Sequence, residues 1–286
     1  MKMEQAIKKA DVLLEALPYI KSYTNKIFVI KFGGSALINP EIKTRVLEDI
    51  VFLSYVGIRP ILVHGGGPFI NDELKKQGIK VEFKDGLRVT PKESMQVVNS
   101  VLNGVNQGIV NDIRKLGGRA QALNTVERNV IKTKPYKQDS QLHFVGEIDR
   151  VEAHIIRKAF RLRSVPVISP VGIGLDNELY NVNADEVSSA VAVSLKATKL
   201  VLLTDVKGIM RNKDDENTLV STLSMEETSR LIDENIIQGG MIPKVKACIT
   251  ALNGSVSKTH IIDGRIPHSL LLEIFTDKGI GTEIVK

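Results

Sequence analysis

Short apolar runs rich in β-branched residues alternate along the chain with stretches of helical periodicity, and this alternation limits the folds open to it. The runs predict strands at FVIKF (28–32), PILVH (60–64), VPVIS (165–169), KLVLLTD (199–205) and KTHIID (258–263). The intervening stretches predict helices at 41–56, 68–77, 92–115, 151–163, 184–195, 225–234 and 243–253. Strands without a polar face are typical of parallel sheets covered on both faces. The sequence therefore predicts an α/β fold, a three-layer α/β/α sandwich around a mostly parallel central sheet.

Each predicted strand runs directly into a loop rich in glycine or polar residues. The loops are KFGGS, HGGGP, SPVGIG, TDVKG and DGR. Ligands of such sheets bind at the carboxyl ends of the strands. We therefore expect one long cleft where these loops converge.

Two regions lie outside this alternating pattern. Residues 4–22 predict a separate leading helix with a broad apolar stripe, which Pro18 should kink or end. Residues 118–148 suggest β-hairpins at ALNTVERNVIKT (122–133) and HFVGEIDR (143–150), around a polar loop.

Composition excludes several classes of protein. A single cysteine, Cys248, rules out disulfides within the chain and fits a reducing, cytosol-like compartment. The net charge of +6 is dispersed and tryptophan is absent, so the basic residues do not indicate nucleic-acid binding. The five histidines lack metal-ligand spacing, and no apolar run has the length of a membrane span. The segment at the start of the sequence contains acidic residues, which distinguish this segment from a signal peptide.

Two of the glycine loops predict anion binding. In KFGGS, Lys31 precedes Gly33 and Gly34, so the stretch matches neither the P-loop nor the dinucleotide fingerprint. HGGGP (64–68) follows a strand and opens a helix, where bare N–H groups and the helix dipole favour an anion. A tight strand-to-helix turn is the alternative reading, although such a turn needs fewer glycines.

Charged residues at two predicted helix starts raise a further question. Asn183 is a natural N-cap and Asp185 suits the first turn, so helix capping accounts for part of YNVNAD. Asn181 lies outside that helix, and capping does not explain it. Lys244 follows two glycines at another helix start, where a cation is electrostatically unfavourable and requires another reason. Arg88 follows a turn and is consistent with either a solvated or a binding role.

The ordered set of motifs resembles the amino acid kinase family. The motifs are VIKFGGSA, VHGGGP, GLRVT, YNVNAD, LLTDVKGI and GGMIPKV. LLEALPYI and LLEIFTDKGIGTEIV further resemble the arginine-inhibited, hexameric branch that phosphorylates N-acetyl-L-glutamate with ATP. The resemblance implies the fold shared with carbamate kinases, with an added N-terminal helix (1–25), an acceptor-binding lobe (26–193) and an ATP-binding lobe (194–286).

The resemblance also implies roles for individual residues. Lys31 and Lys244 would hold the transferring phosphoryl group, and Asp185 would orient both lysines. Residues that would bind the acceptor or the phosphate are Gly33, Gly34, Gly66, Gly67, Arg88, Asn181 and Asn183. Residues that would line the nucleotide site are Leu203, Thr204, Asp205, Gly239 and Met241. Residues that would hold arginine are Tyr19, Lys199, His268 and Glu273.

The same resemblance implies the partners of the chain. Mg²⁺ would be held mainly by the phosphates of ATP, without a protein metal site. The assembly would be a hexamer built as a trimer of dimers, in the cytoplasm or an organelle stroma. Arginine would act as inhibitor, and a PII-type signalling protein is a further partner of some relatives. No nucleic-acid or membrane partner is expected.

Two alternatives remain open at this stage. The acceptor could instead be N-acetyl-aminoadipate, glutamate, carbamate or UMP, because the motifs do not measure side-chain length. The chain could also be an impaired arginine or nucleotide sensor. QALNTVERN (121–129) departs from the glycine-containing stretch, of the type GLSGKD, that usually follows GGRA in the family.

Overall fold

An eight-stranded sheet forms the centre of the computed structural model, which describes residues 3–84, 86–123, 130–136, 140–212, 215–277 and 279–286. Its strands, in spatial order, are β12 (Thr222–Ser224), β14 (Thr282–Val285), β13 (Lys258–Asp263), β11 (Lys199–Thr204), β1 (Ile27–Phe32), β2 (Arg59–His64), β8 (Val165–Ile168) and β5 (Ala120–Leu123). Neighbours are parallel except β13 and β14, which are antiparallel. The predicted mostly parallel sheet is confirmed.

The helices that follow the strands have nearly the bounds expected from the sequence. They are α1 (Met3–Tyr23), α2 (Ser35–Ile38), α3 (Pro40–Tyr55), α4 (Gly67–Lys76), α5 (Lys92–Lys115), α6 (Ala153–Arg161), α7 (Ala184–Leu195), α8 (Met225–Asp233), α9 (Met241–Asn253) and α10 (Ser269–Ile274). Both α5 and α7 have the predicted bounds, and the others that were predicted differ by at most two residues. The leading helix α1 continues through Pro18, so the expectation that its first part ends there is wrong.

Two core clusters on opposite faces of the sheet establish the layers. Along β1, Phe28 and Ile30 pack in one cluster with residues of α3 and α5. Val29 packs in the other cluster with residues of α7 and α9. Because successive side chains of a strand point to opposite faces, helices cover the sheet on both sides. Cys248 lies buried in the second cluster.

A second, four-stranded sheet replaces the hairpins expected in the middle of the chain. Its order is β10 (Leu179–Asn181), β9 (Val171–Ile173), β6 (Ile131–Pro135) and β7 (Gly146–Val151), and β3 (Phe83–Lys84) pairs separately with β4 (Leu87–Arg88). The hairpin expected at 143–150 is wrong, because β7 is one strand that pairs antiparallel with β6. The hairpin expected at 122–133 is also wrong in its described part, because β5 pairs with β8 in the central sheet. Residues 124–129 of that segment lie outside the described residues.

The parallel arrangement brings the carboxyl ends of β1, β2, β8 and β11 to the same edge of the sheet. Lys31 lies on β1 between Leu202 of β11 and Val63 of β2. In the described part of the chain, none of the helices combines the length and apolar character of a membrane span.

Candidate active site

A buried carboxylate bridges two lysines from different parts of the chain. Asp185 lies in the first turn of α7, and its Oδ1 lies 2.9 Å from the Nζ of Lys31 near the end of β1. Its Oδ2 accepts a hydrogen bond of 3.0 Å from the Nζ of Lys244 in the second turn of α9. Asp185 and Lys31 are buried, and Lys244 is partly buried. The predicted grouping of these three residues is therefore present in the structure.

The electrostatics of this trio depend on its burial. Burial alone would raise the pKa of Asp185, but the charges and hydrogen bonds of Lys31 and Lys244 lower it below its ordinary value. Burial lowers the pKa of Lys31, and the Asp185 charge counteracts this effect. The carboxylate consequently stays ionised near neutral pH and favours the charged form of the lysine.

Local capping fixes the position of the bridging carboxylate. Asn183 is the N-cap of α7, and its Oδ1 accepts hydrogen bonds from the backbone N–H of Asp185 and of Glu186, at 2.8 and 3.4 Å. The cap satisfies donors that the first helical turn leaves unpaired. Capping and charge bridging thus operate together in YNVNAD, because the cap holds the first turn in which Asp185 lies.

One cavity, here called the Met241 cavity, opens beside the two lysines. It has a volume of about 480 Å³ and is lined by Lys31, Gly33, Gly34, Leu203, Thr204, Asp205, Val206, Gln238, Gly240, Met241 and Lys244. Four residues predicted for the nucleotide line it, namely Leu203, Thr204, Asp205 and Met241. The fifth, Gly239, is flanked by two lining residues and has a φ of +54°, which favours glycine.

A second cavity, here called the Arg88 cavity, lies on the other side of Lys31. It has a volume of about 290 Å³ and is lined chiefly by the end of β1, the HGGGP loop, residues around Arg88 and residues 181–185. The two cavities share Lys31 and Gly34. They therefore adjoin at Lys31, and groups bound in the two cavities would both lie close to this lysine. Residues 263–265, the predicted DGR loop, are not among the lining residues of either cavity.

Arg88 is buried and is held by neighbours on three sides. Its Nη2 donates to Asn71 Oδ1 at 2.5 Å and to the carbonyl of Gly67 at 3.3 Å. The Phe83 ring centroid lies 4.8 Å from its Cζ, as in a cation–π contact. Its Nη1 is buried without a hydrogen-bond partner among the described residues. A buried donor without a partner is costly, and an acceptor bound in the cavity that Arg88 lines could remove this cost.

The polar residues predicted from YNVNAD lie in the same cavity as Arg88. Asn181 and Asn183 both line it. The side-chain amide of Asn181 donates to Thr90 Oγ1 at 3.2 Å, and Thr90 Oγ1 in turn donates to the carbonyl of Arg88 at 2.8 Å. These two hydrogen bonds join segments that lie about ninety residues apart in the sequence.

The glycine loops require glycine for different reasons. Gly34 has a φ of +66°, a conformation that other residues adopt only under strain. At Gly66 an added Cβ would lie 2.5 Å from Leu102 Cδ2, so any side chain there would force the buried Leu102 to move. The backbone N–H of Gly65 donates to the carbonyl of Phe32 at 2.8 Å, so the two loops are joined directly. Gly66 and Gly67 line the Arg88 cavity, whereas Gly33 lines the Met241 cavity and Gly34 lines both.

Some residues that contribute to the site were not predicted from the sequence. Asn71, Thr90 and Phe83 hold Arg88 and Asn181, and Gln238 and Val206 line the Met241 cavity. Thr90 and Val206 lie within the motifs GLRVT and LLTDVKGI, although neither was assigned a role. Asn71 and Phe83 lie outside the motifs, and their contacts depend on how α4, β3 and β4 fold against each other. Gln238 adjoins the motif GGMIPKV, and that proximity could have identified it.

The residues predicted to hold arginine fall into separate contacts. Lys199 Nζ lies 2.9 Å from His260 Nε2, and His260 Nδ1 lies 2.7 Å from Glu273 Oε1, so these two predicted residues are joined through a buried histidine. Burial lowers the pKa of Lys199 to about 8. Tyr19 donates to Asp277 and packs edge-on against the Phe275 ring. His268 instead pairs with Asp49 of α3, at 2.6 Å.

The comparisons with known proteins agree on one family. The model of the amino acid kinase family matches residues 26–263. The acetylglutamate kinase of Desulforamulus reducens is 49% identical over 285 residues, with 99% of each chain covered. The acetylglutamate kinase of Clostridioides difficile is 47% identical, with 98% of each chain covered.

Solved structures with a similar fold include longer and more distant proteins. The N-acetylglutamate synthase of Neisseria gonorrhoeae, complexed with coenzyme A and N-acetyl-glutamate, superimposes with a TM-score of 0.85 at 27% identity. The match covers 97% of this chain but 63% of that one, so this chain spans less than two thirds of the synthase. The carbamate kinase of Giardia lamblia bound to AMP-PNP has a TM-score of 0.68 at 14% identity, covering 92% of this chain and 99% of that one. That likeness concerns the fold alone.

Proposed function

Because this chain belongs to the amino acid kinase family, we propose that it transfers the terminal phosphoryl group of ATP to the side-chain carboxylate of N-acetyl-L-glutamate, a step of arginine biosynthesis. The observation that carries the proposal is the Asp185 carboxylate bridging Lys31 and Lys244 where the two cavities meet. ATP occupies the Met241 cavity and the acceptor occupies the Arg88 cavity. The product is N-acetylglutamyl 5-phosphate.

The chemistry needs positive charge more than it needs a base. The acceptor carboxylate has an ordinary pKa of about 4.3, so it is ionised and nucleophilic near pH 7. Its oxygen attacks the γ-phosphorus, and the bond from that phosphorus to the β–γ bridging oxygen breaks as ADP leaves. Repulsion between two anions opposes this step. Lys31, Lys244 and the N–H groups of the glycine loops offset that repulsion by positioning and electrostatic stabilisation.

The Arg88 cavity suits an acceptor with a free α-carboxylate. The unpaired Nη1 of Arg88 supplies a charged donor, and Asn181 and Asn183 supply amide groups on the same wall. In our proposal these groups bind the α-carboxylate and the acetamido group, which leaves the side-chain carboxylate directed toward Lys31. The lining of this cavity lies within 31–185, whereas the Met241 cavity adds residues 203–244, in keeping with an acceptor lobe at 26–193 and a nucleotide lobe at 194–286.

Mg²⁺ enters this proposal together with ATP. Both oxygens of Asp185 are engaged by lysines, so this carboxylate is not free to bind a metal ion. Asp205 is the one carboxylate among the described residues that line the Met241 cavity. The ligands of Mg²⁺ are therefore mainly the phosphate oxygens, and the ion neutralises part of their charge.

A coupled assay of ADP release tests the proposed acceptor. Release should require N-acetyl-L-glutamate and should be far slower with glutamate, N-acetyl-aminoadipate, carbamate or UMP. Added hydroxylamine should trap the acyl phosphate as a hydroxamate, which identifies the phosphorylated group as a carboxylate. Faster turnover with another acceptor would replace the substrate in this proposal. If none of these acceptors supported ADP release, the result would favour the impaired sensor.

Arg88→Lys should raise the KM for N-acetyl-L-glutamate by about tenfold, because a lysine cannot reproduce the paired geometry of the guanidinium. The KM for ATP should change little, since Arg88 does not line the Met241 cavity. Initial-rate kinetics with each substrate varied in turn would measure both constants. The exposed Arg150, changed to lysine, is the matched control. An unchanged KM for the acceptor would remove Arg88 from the site.

We further propose that arginine inhibits the enzyme and that α1 supports a hexameric assembly. Glu273 and Lys199 are both buried. Lys199 lies near the C-terminal end of α1, where its Nζ is 5.4 Å from the centroid of the Tyr23 ring. Along α1, several large apolar side chains are exposed: Met3, Ile7, Leu13, Leu14 and Leu17. Exposed apolar stripes of this kind favour burial against another subunit. A PII-type signalling protein as an additional partner is part of the same proposal.

Deletion of residues 1–24 should reduce the assembly to smaller units and raise the arginine concentration for half-inhibition by about tenfold, within the usual range of coupling between sites. Multi-angle light scattering would give the mass, and inhibition curves would give the arginine sensitivity. Uninhibited activity should persist, because α1 does not line either cavity. A truncated protein that remained hexameric and equally sensitive would contradict the proposal.

A further inference from the structure

The first residue of the HGGGP loop is a fully buried histidine that has no part in the chemistry described so far. His64 ends β2 and is 0% exposed. Its Nδ1 lies 2.8 Å from the carbonyl oxygen of Gly65, and its Nε2 lies 3.0 Å from the side-chain nitrogen of Asn106 on α5. Each ring nitrogen therefore has one directed partner, and the two contacts fix the orientation of the ring.

The partners of Asn106 determine which histidine nitrogen carries the proton. Asn106 Nδ2 also donates to the carbonyl of Val167 on β8, at 3.1 Å. A carbonyl accepts and cannot donate, so the amide must present its nitrogen to Val167. The second hydrogen of that nitrogen then points to His64 Nε2, which must accept. The proton of the neutral ring consequently lies on Nδ1 and is donated to the Gly65 carbonyl.

The contacts of Asn106 have a cost that core packing does not explain. Asn106 Oδ1 is buried without a hydrogen-bond partner among the described residues. An unsatisfied buried carbonyl is unfavourable, whereas apolar groups of similar shape in place of both partners can be nearly neutral for stability. The contact between His64 and Asn106 therefore has a cost in stability. Its effect must be sought in the group that it holds, the Gly65 carbonyl.

The held carbonyl fixes the direction of one free donor. Gly65 N–H is bound to the Phe32 carbonyl, and the Gly66 carbonyl accepts from Ile70 N–H. In a trans peptide the carbonyl and the following N–H point in opposite directions. The Gly65 carbonyl faces His64, so the Gly66 N–H points away from the ring. Within the described ranges this N–H has no hydrogen-bond partner, and Gly66 lines the Arg88 cavity.

We propose that His64 is a positioning residue, in which a ring tautomer set by Asn106 holds the Gly65 carbonyl so that the Gly66 N–H donates to the reacting oxygen atoms. This inference rests on the proposed phosphoryl transfer. The pKa of His64, lowered by burial to about 4, keeps the ring neutral in the range where the enzyme would be assayed. The device is therefore independent of pH near neutrality.

Kinetics of His64→Leu, Asn106→Leu and the double variant would test the inference. We expect His64→Leu to lower kcat by at least about tenfold, as the loss of a directed donor does elsewhere. The KM for ATP should change by less than about twofold, because neither residue lines the Met241 cavity. The double variant should be no slower than His64→Leu, since both residues act through the same carbonyl. Ile113→Val, a buried change on the same helix, is the control for lost packing and should leave kcat unchanged.

The possible outcomes separate the inference from the proposed function. An active wild-type enzyme with an unchanged kcat in folded His64→Leu, or with losses that multiply in the double variant, would overturn the positioning role alone. If a variant fails to fold, a measurement on the wild-type protein still tests the inference. Nitrogen-15 NMR of the His64 ring should show Nδ1 protonated and Nε2 unprotonated at neutral pH. A proton on Nε2 would overturn the inference.

Discussion

Replacing Lys244 with alanine should lower kcat by about a thousandfold, while the KM for ATP changes by less than about threefold. The ammonium group of Lys244 lines the Met241 cavity and contacts Asp185, which lines the Arg88 cavity, and in our proposal negative charge shifts between these cavities as the phosphoryl group moves. A charge directed at the moving group stabilises the transition state more than the bound substrate. The loss should therefore appear in kcat.

Lys246 provides the control for this substitution. It lies on the same helix, α9, and is exposed. Lys246→Ala should leave kcat within about twofold of the wild-type value, since surface substitutions have small effects. If Lys244→Ala retained its kcat, or lost ATP affinity instead, Lys244 would be a nucleotide-binding residue and not part of the phosphoryl clamp.

Asp185→Asn should also lower kcat by about a thousandfold, because both lysines lose the charge that holds them in place. Its effect should extend to stability. Removing one partner of a buried ion pair leaves uncompensated charge and costs about 3 kcal/mol or more of unfolding free energy. Single-turnover kinetics and chemical denaturation would measure the two effects separately.

The pH dependence of Asp185→Asn distinguishes a charge effect from a loss of shape. Burial already lowers the pKa of Lys31, and the Asp185 charge counteracts this. Without that charge the pKa of Lys31 should fall further, so residual activity should disappear at a lower pH than in the wild-type enzyme as pH rises. Glu234→Gln, at an exposed residue just after α8, should not shift the profile. An alkaline limb that stays in place would contradict the bridging role.

The grouping of Lys31, Asp185 and Lys244 was predicted from the family resemblance, and the two lysines also violate local expectations. Lys244 lies near a helix N-terminus, where a cation is unfavourable, and the Asp185 carboxylate offsets that arrangement. Lys31 ends a buried strand in front of paired glycines, where an unpaired charge could not remain. These anomalies indicated function, but they did not specify that Asp185 would contact both lysines. That contact depends on α7 and α9 packing beside β1.

Local signals also account for the success with helices and parallel strands. The bounds of α5 and α7 follow from clear changes of periodicity and from end signals such as the Asn183 cap. Strand pairing has no comparable local signal. Nothing in HFVGEIDR indicates that β7 pairs with β6, and β9 and β10 have three residues each, too few for a periodic pattern. The His64–Asn106 contact joins residues that are 42 positions apart and depends on the packing of α5.

A crystal structure with Mg²⁺, ADP, aluminium fluoride and N-acetyl-L-glutamate would test the two-lysine clamp most directly. The fluoride group imitates the phosphoryl group in transfer. We expect it at the junction of the cavities, with the Nζ atoms of Lys31 and Lys244 each about 3 Å from a fluoride and Asp185 in contact with both lysines. A fluoride group bound between ADP and acceptor but out of reach of either lysine would contradict the clamp.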